Sequence, residues 1–298
     1  MTQTVLAIGE CMVEMAPTGD GHYAMGFAGD TFNTAWYLRK LAGDDLTVSY
    51  FSAVGDDAAS AQMTAFMQDA GVTPELRVIP GASVGLYMIS LKDGERSFSY
   101  WRSASAARKM ADGLSELPNL KAGDVAFFSG ITLAILPVEG RETLLSVLAK
   151  ARSEGVRIVF DPNLRPRLWA SDQEMCDWIM RGAAVADIAL PSFEDEATYF
   201  NDADKAATAK RYADAGVTLS IVKDGADAVL IDTAGQPQET VTPLKVTQVV
   251  DTTAAGDSFN AGFLCGLMSG QSNADAVRAG CALAAQVVGK RGALVDLD

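Results

Sequence analysis

Asp257 stands where the alternating run KVTQVV (245–250) gives way to the apolar run FNAGFLCGLM (259–268), behind the small residues Ala254, Ala255 and Gly256. Small side chains let backbone N–H groups approach a ligand closely. At a helix start those N–H groups point outward and carry the positive end of the helix dipole, so DTTAAGDSF (251–259) reads as an anion site. A carboxylate beside it suits a general base that takes a proton from an alcohol while the N–H groups hold a phosphoryl group. Phosphoryl transfer requires mainly positioning, charge neutralisation and an oriented nucleophile. The same residues equally suit a plain N-cap at Asp257, with Gly262 and Gly266 easing helix packing. The sequence contains neither GxxxxGK[ST] nor GxGxxG, which argues against P-loop and dinucleotide folds.

The elements that must position these groups follow from the hydrophobic pattern. TVLAIGE, residues 47–54, 124–130, 157–163 and 187–192 read as strands. Residues 31–42, 57–71, 138–154, 172–183, 257–269 and 273–289 read as helices, with further helices before residue 215. Residues 218–225 and 227–232 read as a strand pair, and KVTQVVD (245–251) as a strand leading into the 257 helix. Repeated strand–helix units predict an α/β fold with a mostly parallel central sheet and helices on both faces. Ligands in such sheets bind at the carboxyl ends of the strands. Asp161-Pro-Asn163, Ser192-Phe-Glu-Asp195 and Asp251 to Asp257 all fall at such ends.

Residues 83–102 break the rhythm. They form two alternating runs around Asp93-Gly94, a hairpin signal. With the early segment they predict a small β-sheet lid inserted into one domain spanning 1–298, built from approximately 10–27 and 83–103.

The 298 residues suffice for one large α/β domain; 49% are apolar and 21% charged, an ordinary soluble globular composition. The net charge of −14 disfavours nucleic-acid binding. The N-terminus lacks a signal-peptide pattern and no run of about 18 apolar residues occurs, so a cytoplasmic protein without membrane contact is expected. Cys11, Cys176, Cys265 and Cys281 form no CxxC and read as reduced thiols. A single histidine, His22, argues against a histidine metal site or a Ser-His-Asp site.

DTTAAGDSFNAG resembles the C-terminal signature of the ribokinase-like (PfkB) carbohydrate kinases, D-T-x-G/A-A-G-D. Phe27-Ala-Gly-Asp-Thr-Phe-Asn33 resembles the family's GGxxxN sugar-binding turn. IGECMVEM (8–15), AGDTFNTAWYL (28–38), GERSFSYWRSASAA (94–107), FDPNLRPRLW (160–169) and LPSFEDE (190–196) extend the similarity nearly end to end. They are most similar to the branch acting on 2-keto-3-deoxygluconate. The resemblance implies ATP-dependent phosphorylation of that sugar acid at its 6-hydroxyl, with magnesium.

Carried over residue by residue, Asp257 matches the catalytic base and Ala254, Ala255 and Gly256 the anion hole. Gly29 and Asn33 match the sugar turn, and Tyr87, Tyr100, Arg102 and Arg165 the substrate contacts. Lys223 and Gly225 match the nucleotide-side loop, and Ser192 and Asp195 the magnesium- and phosphate-linked element. Asp251 and Thr253 match positions that hold a monovalent cation, potassium, in some relatives. Arginine forks suit a carboxylate, so Arg102 and Arg165 are expected as clamps at the substrate end far from Asp257. Ala28 departs from the first glycine of GGxxxN and is expected to narrow the pocket or alter the backbone.

The residues also carry plainer readings: Arg102 as a solvated edge charge, Arg165 as a loop residue, and Tyr87 and Tyr100 as cross-strand packing. A fructokinase or other neutral-sugar kinase, a nucleoside kinase and a non-catalytic sugar-binding regulator are the competing functions. Lids of this family pair between subunits, which implies a homodimer or higher homo-oligomer through an apolar hairpin face assigned to Leu86, Met88, Phe98 and Tyr100.

Overall fold

Short apolar runs form buried strands, and each strand sends alternate side chains to opposite faces. In the computed structural model, which describes residues 2–92 and 95–297, the chain begins β1 (Gln3–Ile8), β2 (Met12–Gly19), β3 (His22–Ala28), α1 (Asp30–Leu41), β4 (Leu46–Val54), α2 (Ala58–Asp69), β5 (Thr73–Val78), β6 (Gly85–Lys92) and β7 (Glu95–Trp101). It continues β8 (Val125–Ser129), α3 (Gly130–Ile135), α4 (Val138–Ser153), β9 (Arg157–Asp161), α5 (Asp172–Val185), β10 (Ile188–Ala189), α6 (Phe193–Phe200) and α7 (Lys205–Asp214). The last elements are β11 (Leu219–Val222), β12 (Val229–Thr233), β13 (Glu239–Val241), α8 (Ala255–Met268) and α9 (Asn273–Val287).

Nine strands form the main sheet in the order β13-β12-β11-β10-β9-β8-β1-β4-β5. It is parallel from β11 to β5, with β12 and β13 added antiparallel. β1 shows why it has two covered faces. Val5 and Ala7 enter the core shared with α1, α2, α8 and α9, whereas Leu6 and Ile8 enter the core shared with α3, α4 and α5. Burial of each large aliphatic there contributes about 1.5–3 kcal/mol.

The second sheet has the order β3-β2-β6-β7 and draws its strands from residues 12–28 and 85–101. The Asp93-Gly94 turn lies outside the described residues. The register pairs Leu86 with Trp101, Tyr87 with Tyr100 and Ile89 with Phe98. Leu86 and Met88 therefore lie on the face opposite Phe98 and Tyr100, which corrects the single apolar face expected from the sequence. Tyr87, Phe98 and Tyr100 stack together on one side, with ring centroids 5.9–6.3 Å apart. Trp101 lies on the other side with Leu86 and Met88.

The strand expected over 245–251 does not form. Leu244, Val249 and Val250 are exposed, and no strand runs alongside among the described residues. The backbone N–H groups of Val250 and Asp251 instead reach the Val288 carbonyl at the end of α9. An alternating run becomes a strand only where a sheet edge accepts its ladder.

Candidate active site

The carboxyl ends of β1, β8, β9 and β11 and the start of α8 converge. Ala254, the N-cap of α8, has φ 59° and ψ 16°. A left-handed alanine is strained by roughly 1–2 kcal/mol, and it turns the 254–256 backbone into the opening of the helix. Asp257 follows in the first turn.

Two residues of α1 hold Asp257. Asn33 Nδ2 donates to Asp257 Oδ2 at 2.8 Å, and Thr34 Oγ1 donates to the Asp257 carbonyl at 3.2 Å. Asn33 Oδ1 in turn accepts the Gly29 N–H at 3.3 Å. The sugar turn of the sequence and the catalytic signature thus meet through one asparagine. Desolvation pushes the Asp257 carboxyl up to about 8, and the neighbouring charges of Asp30 and Asp161 act in the same sense. Asn33 and Arg165 pull it down.

Gly29 needs to be glycine because of contact rather than dihedral angle. Its φ of 176° is ordinary extended backbone. A Cβ there, however, would lie 2.1 Å from the Glu10 carbonyl oxygen. Ala28 is buried with Met12, Tyr87, Ile89 and Ala293. Its methyl packs under the lid, in a small apolar cluster that also touches Ala254.

Lys223 is 8% exposed, and Nζ lies 3.2 Å from Asn260 Oδ1 and 3.5 Å from Asp161 Oδ2. Asn260 Nδ2 donates to the same Asp161 oxygen at 2.6 Å. A Cβ built at Gly256 would sit 3.9 Å from Lys223 Nζ, so this buried amine lies beside the 254–256 backbone. The backbone of Lys223 also fixes the neighbouring element: its N–H donates to Pro191 and its carbonyl accepts from Phe193, which sets Ser192 at the N-cap of α6. Burial raises the Asp195 carboxyl, while Arg165 and then Lys223 oppose that rise. The Arg165 charge thus lowers both the Asp195 and the Asp257 carboxyls.

The lid supplies a second group. Arg102 Nε donates to Glu10 Oε2 at 2.8 Å and Nη2 donates to the same oxygen. The Arg102 guanidinium lies 5.9 Å from the centre of the Tyr100 ring. Tyr87 is buried and its hydroxyl donates to Glu14 Oε2, whereas Tyr100 is half exposed. Gly225 sits in the exposed turn between β11 and β12 with φ 53°, a conformation that favours glycine without any ligand. Asp251 accepts from Thr253 N–H and Oγ1 and from the Gly292 N–H, tying residues 251–253 to the C-terminal segment.

The sequence reading missed Glu10, Glu14, Asp30 and Asn260 as individual site residues. Asn260 carried a usable signal, since the i, i+3 spacing from Asp257 places both on one helix face. Asp30 accepts Asn163 Nδ2 at 2.9 Å, linking α1 to the left-handed Asn163 after β9.

Comparison with known proteins agrees with this geometry. The family model for pfkB family carbohydrate kinases matches residues 2–298. The 2-dehydro-3-deoxygluconokinase of Dickeya dadantii is 39% identical over 307 residues, covering 100% of this chain and 98% of that protein. That of Escherichia coli K12 is 38% identical over 309 residues, covering 100% and 99%. The crystal structure of a Vibrio cholerae fructokinase with fructose, ADP and calcium bound superposes with a TM-score of 0.83 at 25% identity, covering 98% of this chain and 94% of that one.

Proposed function

The chain belongs to the pfkB family of carbohydrate kinases, and from that premise we propose that it transfers the γ-phosphoryl group of ATP to the 6-hydroxyl of 2-keto-3-deoxygluconate. The products are 2-keto-3-deoxy-6-phosphogluconate and ADP. The observation that carries this reading is Asp257, held by Asn33 in the first turn of a helix that opens on small residues.

In this mechanism the 6-hydroxyl lies against Asp257. The Asp257 carboxylate takes the hydroxyl proton as the oxygen attacks the γ-phosphorus. The bond from the γ-phosphorus to the β,γ-bridging oxygen breaks, and ADP leaves with that electron pair. The N–H groups of residues 254–256 and the buried Lys223 receive the charge on the transferring group. Lys223 already faces the anion hole across Gly256, which suits a phosphate ligand. The side chains of Asp195 and Ser192 would hold magnesium through its water shell, and the ion would supply charge neutralisation on the phosphates. Potassium near Asp251 and Thr253 would reinforce the brace to Gly292, and faster turnover in potassium than in tetramethylammonium chloride is expected.

The acid end of the substrate falls to arginine. Arg102 and Arg165 both offer guanidinium donors, which a neutral hexose would not require. Tyr87 and Tyr100 lie on the same lid face as Arg102 and would close over the sugar ring. We assign the whole chain to one kinase unit with this inserted lid, working in the cytoplasm where ATP is the phosphoryl donor. Tyr23, Met25 and Trp101 are exposed on the other lid face, and pairing of that face with a second copy would cover them. Light scattering showing a monomer at micromolar concentration would sink the dimer.

The function is tested by ADP release with 2-keto-3-deoxygluconate, fructose, ribose and adenosine. Fast turnover on the keto acid alone is expected, and fructose as the preferred acceptor would replace this reading with the neutral-sugar one.

A further inference from the structure

We propose that Glu10 is a positioning residue that sets substrate selectivity, fixing Arg102 with one carboxylate oxygen and presenting the other to a hydroxyl of the bound acid sugar. The inference rests on the function proposed above and extends it to a residue to which the family resemblance gave no role.

Glu10 follows the carboxyl end of β1 and is 2% exposed. Oε2 accepts both Arg102 donors, whereas Oε1 is buried and has no hydrogen-bond partner among the described residues. Folded proteins rarely leave a buried carboxylate oxygen unpaired, because it has lost water and gained nothing. Gly85 leaves the space beside Oε1 that a side chain would fill: a Cβ there would stand 2.8 Å from Oε1 and 3.3 Å from the Arg102 Cβ. Gly85 lies on the lid face that carries Tyr87, Tyr100 and Arg102. The Glu10 main chain meanwhile abuts Gly29 of the sugar turn. One residue therefore touches both halves of the pocket. Ser105 Oγ is a second buried polar atom without a partner among the described residues, and the Ser105 N–H donates to the Arg102 carbonyl.

The chemistry follows from the pair. A guanidinium gripped by one carboxylate loses its rotamer freedom before the ligand arrives, so less ordering remains to oppose binding. Its remaining donor edge suits a second carboxylate, and Oε1 beside it accepts only from a hydroxyl or N–H group. A ligand with a carboxylate and a nearby hydroxyl satisfies both.

The test compares wild type, Glu10→Gln, Arg102→Gln and the double variant on the keto acid and on fructose, with thermal melts of each. Glu10→Gln is expected to raise KM for the keto acid at least tenfold with kcat within threefold, and to lower the keto-acid to fructose ratio of kcat/KM at least tenfold. The double variant is expected to lose less than the two single losses combined, because Glu10 acts in part through Arg102. A folded Glu10→Gln with KM within twofold of wild type overturns the proposal, as do additive losses. Should Glu10→Gln melt out, Glu10→Asp keeps the charge and withdraws it by one methylene. It is expected to raise KM at least fivefold, and a wild-type KM in it overturns the proposal. Wild type that phosphorylates fructose and not the keto acid overturns the function and this ligand together, whereas wild-type keto-acid turnover with an unchanged Glu10→Gln KM overturns the Glu10 role alone.

Discussion

Asn33 Nδ2 lies 2.8 Å from Asp257 Oδ2, across 224 residues of sequence, and the same asparagine accepts the Gly29 N–H. Asp257 is thus oriented by the turn read from the sequence as sugar-binding. Removing the base itself, Asp257→Asn, is expected to lower kcat by roughly 10²–10⁴-fold, the usual contribution of a positioned general base. Asn33→Ala should give a smaller loss of kcat and move the acid limb of the pH profile upward, because Asn33 is one of the groups holding the Asp257 carboxyl down. Steady-state kinetics of both variants against pH decide this; an unshifted limb in Asn33→Ala would separate the asparagine from the base.

The pH dependence follows from the carboxyl held at about 8 by desolvation. A base must be deprotonated to act, so kcat/KM for the sugar should rise with pH through about 8. Stability should move the opposite way. Folded Asp257 keeps its proton up to about pH 8, whereas the unfolded chain releases it near about pH 4. Between those values the unfolded state binds fewer protons, so this group lowers stability as pH rises. Asp257→Asn removes that penalty, and its melting temperature should exceed that of wild type at pH 8.5 and converge with it near pH 4. Scanning calorimetry at the two pH values checks both signs.

Lys223 offers a separate test of the anion hole. Its Nζ is held by Asn260 and Asp161 and faces Gly256. Lys223→Met keeps the length and removes the charge. Loss of one preorganised donor to a developing charge lowers kcat by about 10²–10³-fold, and that loss should exceed any change in sugar KM. A kcat within threefold of wild type would make Lys223 a structural cation for Asp161.

A buried network behind Asp195 is expected to matter for stability. Arg211 Nη2 donates to Glu196 Oε2 at 2.6 Å and to Asp202 Oδ2 at 2.5 Å, and the Tyr212 hydroxyl donates to Glu196 Oε1 at 2.9 Å. Desolvation already pushes the Glu196 carboxyl up to about 7. Arg211→Ala strands that buried carboxyl and should cost about 3–5 kcal/mol, the usual result of breaking a buried pair from one side. Urea unfolding at pH 7.5 measures it.

Much of this was legible in the sequence, and what was not has physical causes. VLAI and VAFF read as buried strands because their apolar residues are continuous and short. The helix start at 254–257 was legible because the small residues Ala254, Ala255 and Gly256 precede an apolar helical run. The 245–251 strand was misread because alternation records a preference, and the edge that would satisfy it is three-dimensional. β5 went unread because Pro74 interrupts its run. The lid faces were misassigned because parity across a hairpin depends on register: Tyr87, rather than Leu86, faces Tyr100. Glu10 was quoted in IGECMVEM, but nothing in that run shows that Arg102 lies against it.

The sugar turn gives the sharpest contrast between neighbouring positions. Ala28 departs from the family glycine, yet its methyl is buried with Met12, Tyr87 and Ile89. Gly29 matches the family and has no room, since a Cβ would meet the Glu10 carbonyl at 2.1 Å. Ala28→Gly should therefore leave sugar KM within about threefold and cost about 1 kcal/mol from lost methyl burial and added backbone freedom. Gly29→Ala must push α1 or the Glu10 strand end apart, and Asn33 with it. A displacement near 1 Å at a reacting group costs on the order of 10²-fold in rate, so its kcat/KM should fall that far while its far-ultraviolet circular dichroism stays near wild type. Equal behaviour of the two variants would mean that the turn tolerates both methyls and that the Gly29–Glu10 contact does not set the base.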